Sequence, residues 1–119
     1  MRETFFVSPP RRDWAIRARA NFRSEKAPPV DALKARREWL AFVERIASLG
    51  HQIVVLESPD ASLTGMPFAA EAGHMLAGPR FMLPRMAAPH RTGEVAHWRS
   101  MCEKLHIETI AISGGTFEG

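Results

Sequence analysis

The sequence predicts an α/β fold in which a helix followed by a strand occurs twice. Two helical patterns are each followed by a short apolar strand pattern, and each pair has a Trp in the helix and a His just before the strand. These residues are Trp39 with His51, and Trp98 with His106. A turn of the Gly-Pro type at residues 77–79 separates the pairs. The predicted order is strand, helix, strand, hairpin, helix, strand.

The first half of the chain contains the first strand-helix-strand set. Thr4–Val7 is an apolar run closed by Ser-Pro-Pro, which predicts a strand that enters a loop. The helix begins after Asp31, whose carboxylate can accept hydrogen bonds from the free amides of the first turn, and ends at Gly50. The β-branched run at residues 52–56 then predicts a buried strand.

The second half begins with a hairpin. Strands are predicted at residues 68–76 and 80–83, a helix capped by Thr92 follows, and residues 107–112 form the last strand. The helix has an apolar stripe of Val95, Trp98, Met101, Cys102 and Leu105. We therefore expect Cys102 to be a core residue rather than a nucleophile, because reactive thiols need an exposed, electropositive site.

Composition restricts the classes of protein. A length of 119 residues with 45% apolar and 24% charged residues is typical of one globular domain. The single cysteine excludes an internal disulfide. It fits a reducing cytosol, and the charged start shows no signal peptide, so the sequence predicts a cytoplasmic protein. No apolar run approaches the ~20 residues of a membrane span, so no membrane association is expected.

A basic segment at residues 11–26 has two interpretations. Its arginines could form a binding surface for phosphate or for a substrate carboxylate. Alternatively, it is a surface segment held by its aromatic residues, with solvated arginines, and this simpler reading is favoured. A net charge of +3 and the absence of a recognised motif argue against nucleic acid as a partner.

The residue types contain no complete catalytic set. The five histidines form no i, i+4 pair, so neither a metal site nor a cofactor is expected. Two carboxylates in turn and strand contexts stand out, Glu71 and Glu118. Glu71 lies inside an apolar run, where burial without a partner would be costly, so it must either face water or meet a cation.

Five segments in order along the chain resemble motifs of one enzyme family. They are Phe-Val-Ser-Pro-Pro at 6–10, the helix and strand at 39–56, Gly-Met-Pro-Phe-Ala-Ala-Glu-Ala-Gly at 65–73, His-Arg-Thr-Gly-Glu at 90–94, and Phe-Glu-Gly at 117–119. The chain is similar to the N-terminal part of pentein guanidine-modifying enzymes, which include dimethylarginine dimethylaminohydrolase, arginine deiminase and the amidinotransferases.

The resemblance implies a partial pentein β/α-propeller of about two ββαβ-type modules, as a single domain over residues 1–119 that is shorter than the family's five modules. It implies a hydrolase or amidinotransferase acting on C–N bonds of an arginine-like guanidine. Glu71 and Glu118 then take substrate-binding positions. The family's nucleophilic Cys and catalytic His follow the Phe-Glu-Gly motif, so no catalytic residue is assigned here. Gly65 replaces a family Asp, and alanine replaces the polar Thr or Arg that precedes the position of Glu71 in the family.

Two other functions stay open. A non-catalytic pentein relative could use exposed strand edges to bind a partner chain, either a second copy in a homo-oligomer or a complementing C-terminal chain. An inactive fragment is the remaining interpretation.

Overall fold

The computed structural model describes residues 1–16 and 26–119. These residues form two compact units, Met1–Pro67 and Phe68–Gly119. Within the described residues, each unit contains a small sheet and an α-helix that connects two parallel strands. The predicted α/β class and the predicted element order are confirmed. The prediction that residues 1–119 form a single domain stays a prediction.

The first unit is a two-stranded parallel sheet with a helical crossover. Strand β1 is Thr4–Val7, helix α1 is Ala32–Ser48 and strand β2 is Gln52–Val55. The strands pair in register from Thr4 with Gln52 to Val7 with Val55. Parallel neighbours need a long connection, and α1 lies within it.

The two ends of α1 follow from local chemistry. The Asp31 carboxylate accepts a hydrogen bond from the Lys34 amide at 3.0 Å, which satisfies one free donor of the first turn. At the other end, Gly50 has a φ of +88°, and its amide donates to the Ala47 carbonyl at 2.9 Å. A left-handed residue there stops the helix, and glycine adopts it without a steric penalty. Both predicted ends are confirmed.

Strand β2 is less buried than its sequence predicts. Val55 exposes 48% of its surface, and Gln52 is also exposed. A continuous apolar run indicates a strand covered on both faces. Among the described residues, however, β2 pairs only with β1, so no strand covers its other edge.

The second unit is a three-stranded mixed sheet. Strands β3 (His74–Leu76) and β4 (Arg80–Met82) form an antiparallel hairpin, and β5 (Glu108–Ile110) pairs in parallel with β4. Helix α2, Glu94–Lys104, connects β4 to β5. The strand order β3-β4-β5 is that of a ββαβ module. The predicted hairpin is confirmed, whereas β5 is shorter than the predicted 107–112.

The predicted strand at residues 68–76 is wrong in its first half. Residues Ala69–Glu71 form a 3₁₀ turn, and the strand begins only at His74. The cause is Gly73, which has a φ of +139° and lies so close to β4 that a Cβ atom would be 2.5 Å from the Met82 carbonyl oxygen. An extended path through this position is therefore interrupted, and Glu71 is placed on a turn.

The start of α2 also differs from the prediction. Gly93, not Thr92, occupies the N-cap position. The Thr92 hydroxyl instead donates to the Pro89 carbonyl at 2.8 Å and closes a second 3₁₀ turn, Pro89–Arg91. A hydroxyl that is satisfied by this preceding turn is not available to the first amides of the helix.

The core of the second unit lies along α2. Trp98 and Cys102 are 1% and 0% exposed, and Met101 is also buried. Leu105, predicted to complete the stripe, is 42% exposed because the helix ends at Lys104. The core position of Cys102 is confirmed, and burial raises the pKa of its thiol.

We expect Cys102 to react slowly with a thiol reagent in the native protein. Its side chain is inaccessible, and the raised pKa keeps the thiol protonated near neutral pH. Labelling with Ellman's reagent should be at least about 100-fold slower than in denaturant, since it requires local opening. Equal native and denatured rates would contradict the placement of Cys102 in the core.

Candidate functional site

A buried ion pair lies at the start of α2. The Arg91 guanidinium donates two hydrogen bonds to the Glu94 carboxylate, from Nε to Oε2 at 2.8 Å and from Nη2 to Oε1 at 3.0 Å. The Arg91 and Glu94 side chains are 8% and 0% exposed. Two parallel bonds fix both the position and the plane of the guanidinium.

Local sequence explains this pair. Arg91 ends the 3₁₀ turn Pro89–Arg91, and Glu94 is the first residue of α2, three positions later. Side chains three positions apart in helical structure lie on the same face. A carboxylate in the first turn also interacts favourably with the positive end of the helix dipole.

Glu71 contacts the same guanidinium from another part of the unit. Its Oε2 atom accepts a hydrogen bond from Nη1 of Arg91, while 53% of its side chain stays exposed. The sequence predicted that Glu71 must face water or meet a cation, and it does both. Arg91 is thus a buried cation between a buried carboxylate and an exposed one.

The charges in this cluster are strongly coupled. Burial disfavours the charged form of Arg91, but the hydrogen bonds and charges of Glu94 and Glu71 outweigh it and raise the pKa of Arg91 above its ordinary value. Arg91 therefore stays a cation at any pH at which the protein is folded. With both carboxylates ionised, the three side chains together carry one excess negative charge.

Glu118 is held by a short antiparallel bridge. The Arg85 amide donates to the Phe117 carbonyl at 2.7 Å, and the Phe117 amide donates to the Arg85 carbonyl at 3.0 Å. Next to this bridge, Oε1 of Glu118 accepts a hydrogen bond from the Ala87 amide at 2.8 Å. Two backbone segments and a side-chain bond thus orient an otherwise exposed carboxylate.

Gly119 brings the Glu118 segment against Glu71. A Cβ atom on Gly119 would lie 2.4 Å from the Ala70 carbonyl oxygen and 3.1 Å from Cα of Glu71. The backbone after Glu118 therefore touches the 3₁₀ turn that carries Glu71. The two carboxylates singled out in the sequence belong to adjacent segments of one unit.

No role for Arg91 or Glu94 is predicted from the sequence. Both belong to a motif quoted for the family resemblance, and the i, i+3 spacing of opposite charges at a helix start could have indicated their ion pair. The contact with Glu71 could not be read from the sequence, because it depends on how the 3₁₀ turn packs against the start of α2.

The first unit has a polar cavity of about 350 Å³. It is lined by Pro9, Arg11, Arg12, Asp13, Arg36, Glu57 and Ser58. Arg11 donates to both Asp13 oxygens, at 2.8 and 3.1 Å, and to the Ser58 carbonyl, so it is already engaged. The rest of the basic segment at residues 17–25 lies outside the described residues, and its two interpretations stay open.

The described residues contain no cluster of three or more His, Cys, Asp or Glu side chains suited to a metal ion. Neither α1 nor α2 has the length and apolar character required of a helix that crosses a membrane.

Comparisons with known proteins support the fold. No family model matches the chain, and no curated protein sequence matches it. Several solved structures are similar in fold, and three of them represent the group. They are the product-bound N-terminal domain of ArgZ, an arginine dihydrolase from the ornithine-ammonia cycle in cyanobacteria (TM-score 0.83, 20% identity), AgrE in a binary complex with L-arginine (0.81, 20%), and an adduct of dimethylarginine dimethylaminohydrolase (0.78, 18%).

These alignments cover 98%, 99% and 99% of the chain, but only 42%, 17% and 44% of the respective structures. The chain thus spans less than half the length of each of these proteins. The predicted pentein resemblance and fold class are confirmed: the chain has the fold of part of a pentein domain. Among the described residues, the second unit has the complete ββαβ order, whereas the first has the order βαβ.

Proposed function

We propose that the second unit supplies part of the guanidinium-binding site of a hydrolase acting on C–N bonds of an arginine-like substrate. Glu71 and Glu118 are the binding carboxylates. The observation that carries this proposal is their adjacency: Gly119 places the segment of Glu118 directly against the turn of Glu71. The neighbours in fold are described as binding L-arginine or as acting on arginine and dimethylarginine, which supports the same substrate class.

The chemistry of the two carboxylates suits a planar cation. Each has one oxygen engaged by a fixed donor, Arg91 for Glu71 and the Ala87 amide for Glu118. Within the described residues, the second oxygen of each accepts no hydrogen bond. A guanidinium presents N–H donors in a fixed plane and can bond to two carboxylates at once.

The chemical step requires residues beyond those assigned here. In the family mechanism, a Cys thiolate attacks the guanidino carbon, the amine leaves with a proton from a His, and water then hydrolyses the covalent thiouronium intermediate. Both residues follow the Phe-Glu-Gly motif in the family. Cys102 is 0% exposed and precedes the motif, so it does not fit the nucleophile. Glu71 and Glu118 would bind and orient the guanidinium and favour its charged form.

An arginine-binding protein without catalysis is the second candidate. The burial of Cys102, the single cysteine of the chain, favours it. Turnover of arginine, methylated arginines or agmatine by the purified chain would discard this candidate. Turnover that is lost in Cys102→Ser would also overturn the core role of that cysteine. The cytoplasmic location and a homo-oligomer or complementing chain stay predictions.

Calorimetric titration tests the binding proposal. We expect L-arginine to bind, and L-citrulline, which replaces the guanidinium with an uncharged urea, to bind far more weakly. Because hydrogen bonds to charged groups contribute about 1.5–3 kcal/mol, Glu71→Gln and Glu118→Gln should each raise the Kd for L-arginine by about 10- to 150-fold.

Glu108→Gln is the matched control. It removes one negative charge from an exposed position of the same unit, on strand β5. Its Kd should equal that of the parent chain. Equal affinity for arginine and citrulline, or an equal loss in all three variants, would reject a specific guanidinium site.

A further inference from the structure

We propose that Arg91 is a positioning residue for Glu71. This proposal rests on the proposed function of Glu71 as a guanidinium ligand. Glu94 fixes the Arg91 guanidinium through Nε and Nη2, and Nη1 then holds Oε2 of Glu71. The order of the three side chains runs from the interior to the surface, since they are 0%, 8% and 53% exposed for Glu94, Arg91 and Glu71.

The direction of burial shows which residue orients which. A half-exposed carboxylate can be hydrated and needs no protein partner, whereas a buried guanidinium does need one. Glu94 already supplies that partner with two well-formed bonds. The contact to Glu71 is therefore not required to neutralise Arg91, and its effect falls on Glu71, whose side chain is held in one direction.

The charge count makes the arrangement useful for binding a cation. Glu94 and Arg91 cancel in the interior, and the excess negative charge belongs to Glu71 at the surface. Because Glu71 is already ordered, a ligand guanidinium would not have to order it. Immobilising a long side chain costs about 0.5–1.5 kcal/mol, so a fixed Glu71 corresponds to an affinity about 2- to 12-fold higher than a free one.

The first test needs no substitution. Three-bond couplings in the NMR spectrum report the χ1 angle of Glu71 in the full 119-residue chain. A single rotamer is expected, together with separate, slowly exchanging Nη signals of Arg91. Averaged couplings for Glu71 in the folded parent chain would overturn the positioning role, whether or not the chain binds arginine.

The second test is a double-mutant cycle on L-arginine affinity. Arg91→Lys retains the positive charge but cannot form paired bonds to Glu94 and also reach Glu71. With this substitution, Glu71 should exchange among several χ1 rotamers, and the Kd for L-arginine should rise by about 2- to 12-fold in the parent background. In the Glu71→Gln background the same substitution should have little effect, because its target is gone.

The two proposals fail in different ways. If Arg91→Lys raises the Kd equally in both backgrounds, Arg91 does not act through Glu71 and its positioning role is rejected. If Arg91→Lys lowers the Kd, Arg91 competes with the ligand for Glu71, which also rejects it. If the parent chain binds neither arginine nor agmatine, the proposed function fails, and the binding consequence of the Glu71 rotamer fails with it.

Discussion

Glu94→Gln will lower the free energy of unfolding by about 3–5 kcal/mol, the typical cost of removing one partner of a buried ion pair. Glu94 is fully buried and forms two hydrogen bonds with Arg91. An amide removes the negative charge and can accept only one of these bonds well. Arg91 would then remain buried without its paired ionic bonds to Glu94, while Glu71, which also contacts it, is half-exposed. Urea denaturation followed by circular dichroism measures the change.

Glu108→Gln is again the control for loss of one negative charge. Its side chain is exposed, so its free energy of unfolding should stay within about 0.5 kcal/mol of the parent value. If Glu94→Gln also stays within that limit, the ion pair does not stabilise the second unit. The geometry of the candidate site would then lose its structural basis.

Gly73→Ala will lower the free energy of unfolding by about 2–5 kcal/mol, because overpacking adds to the cost of a positive φ. The added Cβ would lie 2.5 Å from the Met82 carbonyl oxygen and 2.5 Å from the Phe81 ring. The φ of +139° is also one that residues with a side chain rarely adopt. The hairpin and the turn that carries Glu71 meet at this position, so relief by movement would displace Glu71.

Gly78→Ala separates the cost of a positive φ from the cost of overpacking. Gly78 also has a positive φ, +76°, but a Cβ there would meet no atom within 4 Å. Gly78→Ala should lower the free energy of unfolding by about 1–2 kcal/mol, which is the cost of the left-handed conformation alone. Urea denaturation of both variants gives the comparison. Equal losses would show that the close approach of Gly73 to β4 does not contribute.

Local sequence signals were enough for much of the fold. The cap at Asp31 and the stop at Gly50 set the ends of α1, and the apolar stripe correctly placed Trp98 and Cys102 in the core. These features depend on neighbours in sequence, and their physical causes act over one or two turns. The resemblance to pentein motifs supplied the fold family, which no periodicity in the chain could indicate.

The error at residues 68–76 and the missed ion-pair network have tertiary causes, whereas the error at Thr92 is local. The strand predicted at residues 68–76 is interrupted because Gly73 approaches β4, and the apolar residues before it gave no sign of that contact. Thr92 was an obvious cap, yet its hydroxyl serves the preceding 3₁₀ turn. The link from Glu94 through Arg91 to Glu71 joins two segments distant in sequence. Its members have ordinary residue types, so the network becomes visible only in the folded unit.

The most direct test of the guanidinium site is a carboxyl ¹³C NMR titration of the 119-residue chain with L-arginine. The proposal predicts that the side-chain carboxyl signals of Glu71 and Glu118 shift together, with one binding curve, and that L-citrulline leaves both unchanged. Saturable shifts confined to other carboxylates, such as Asp13 and Glu57 of the first unit's cavity, would contradict it. So would a chain whose Glu71 and Glu118 signals do not respond to arginine.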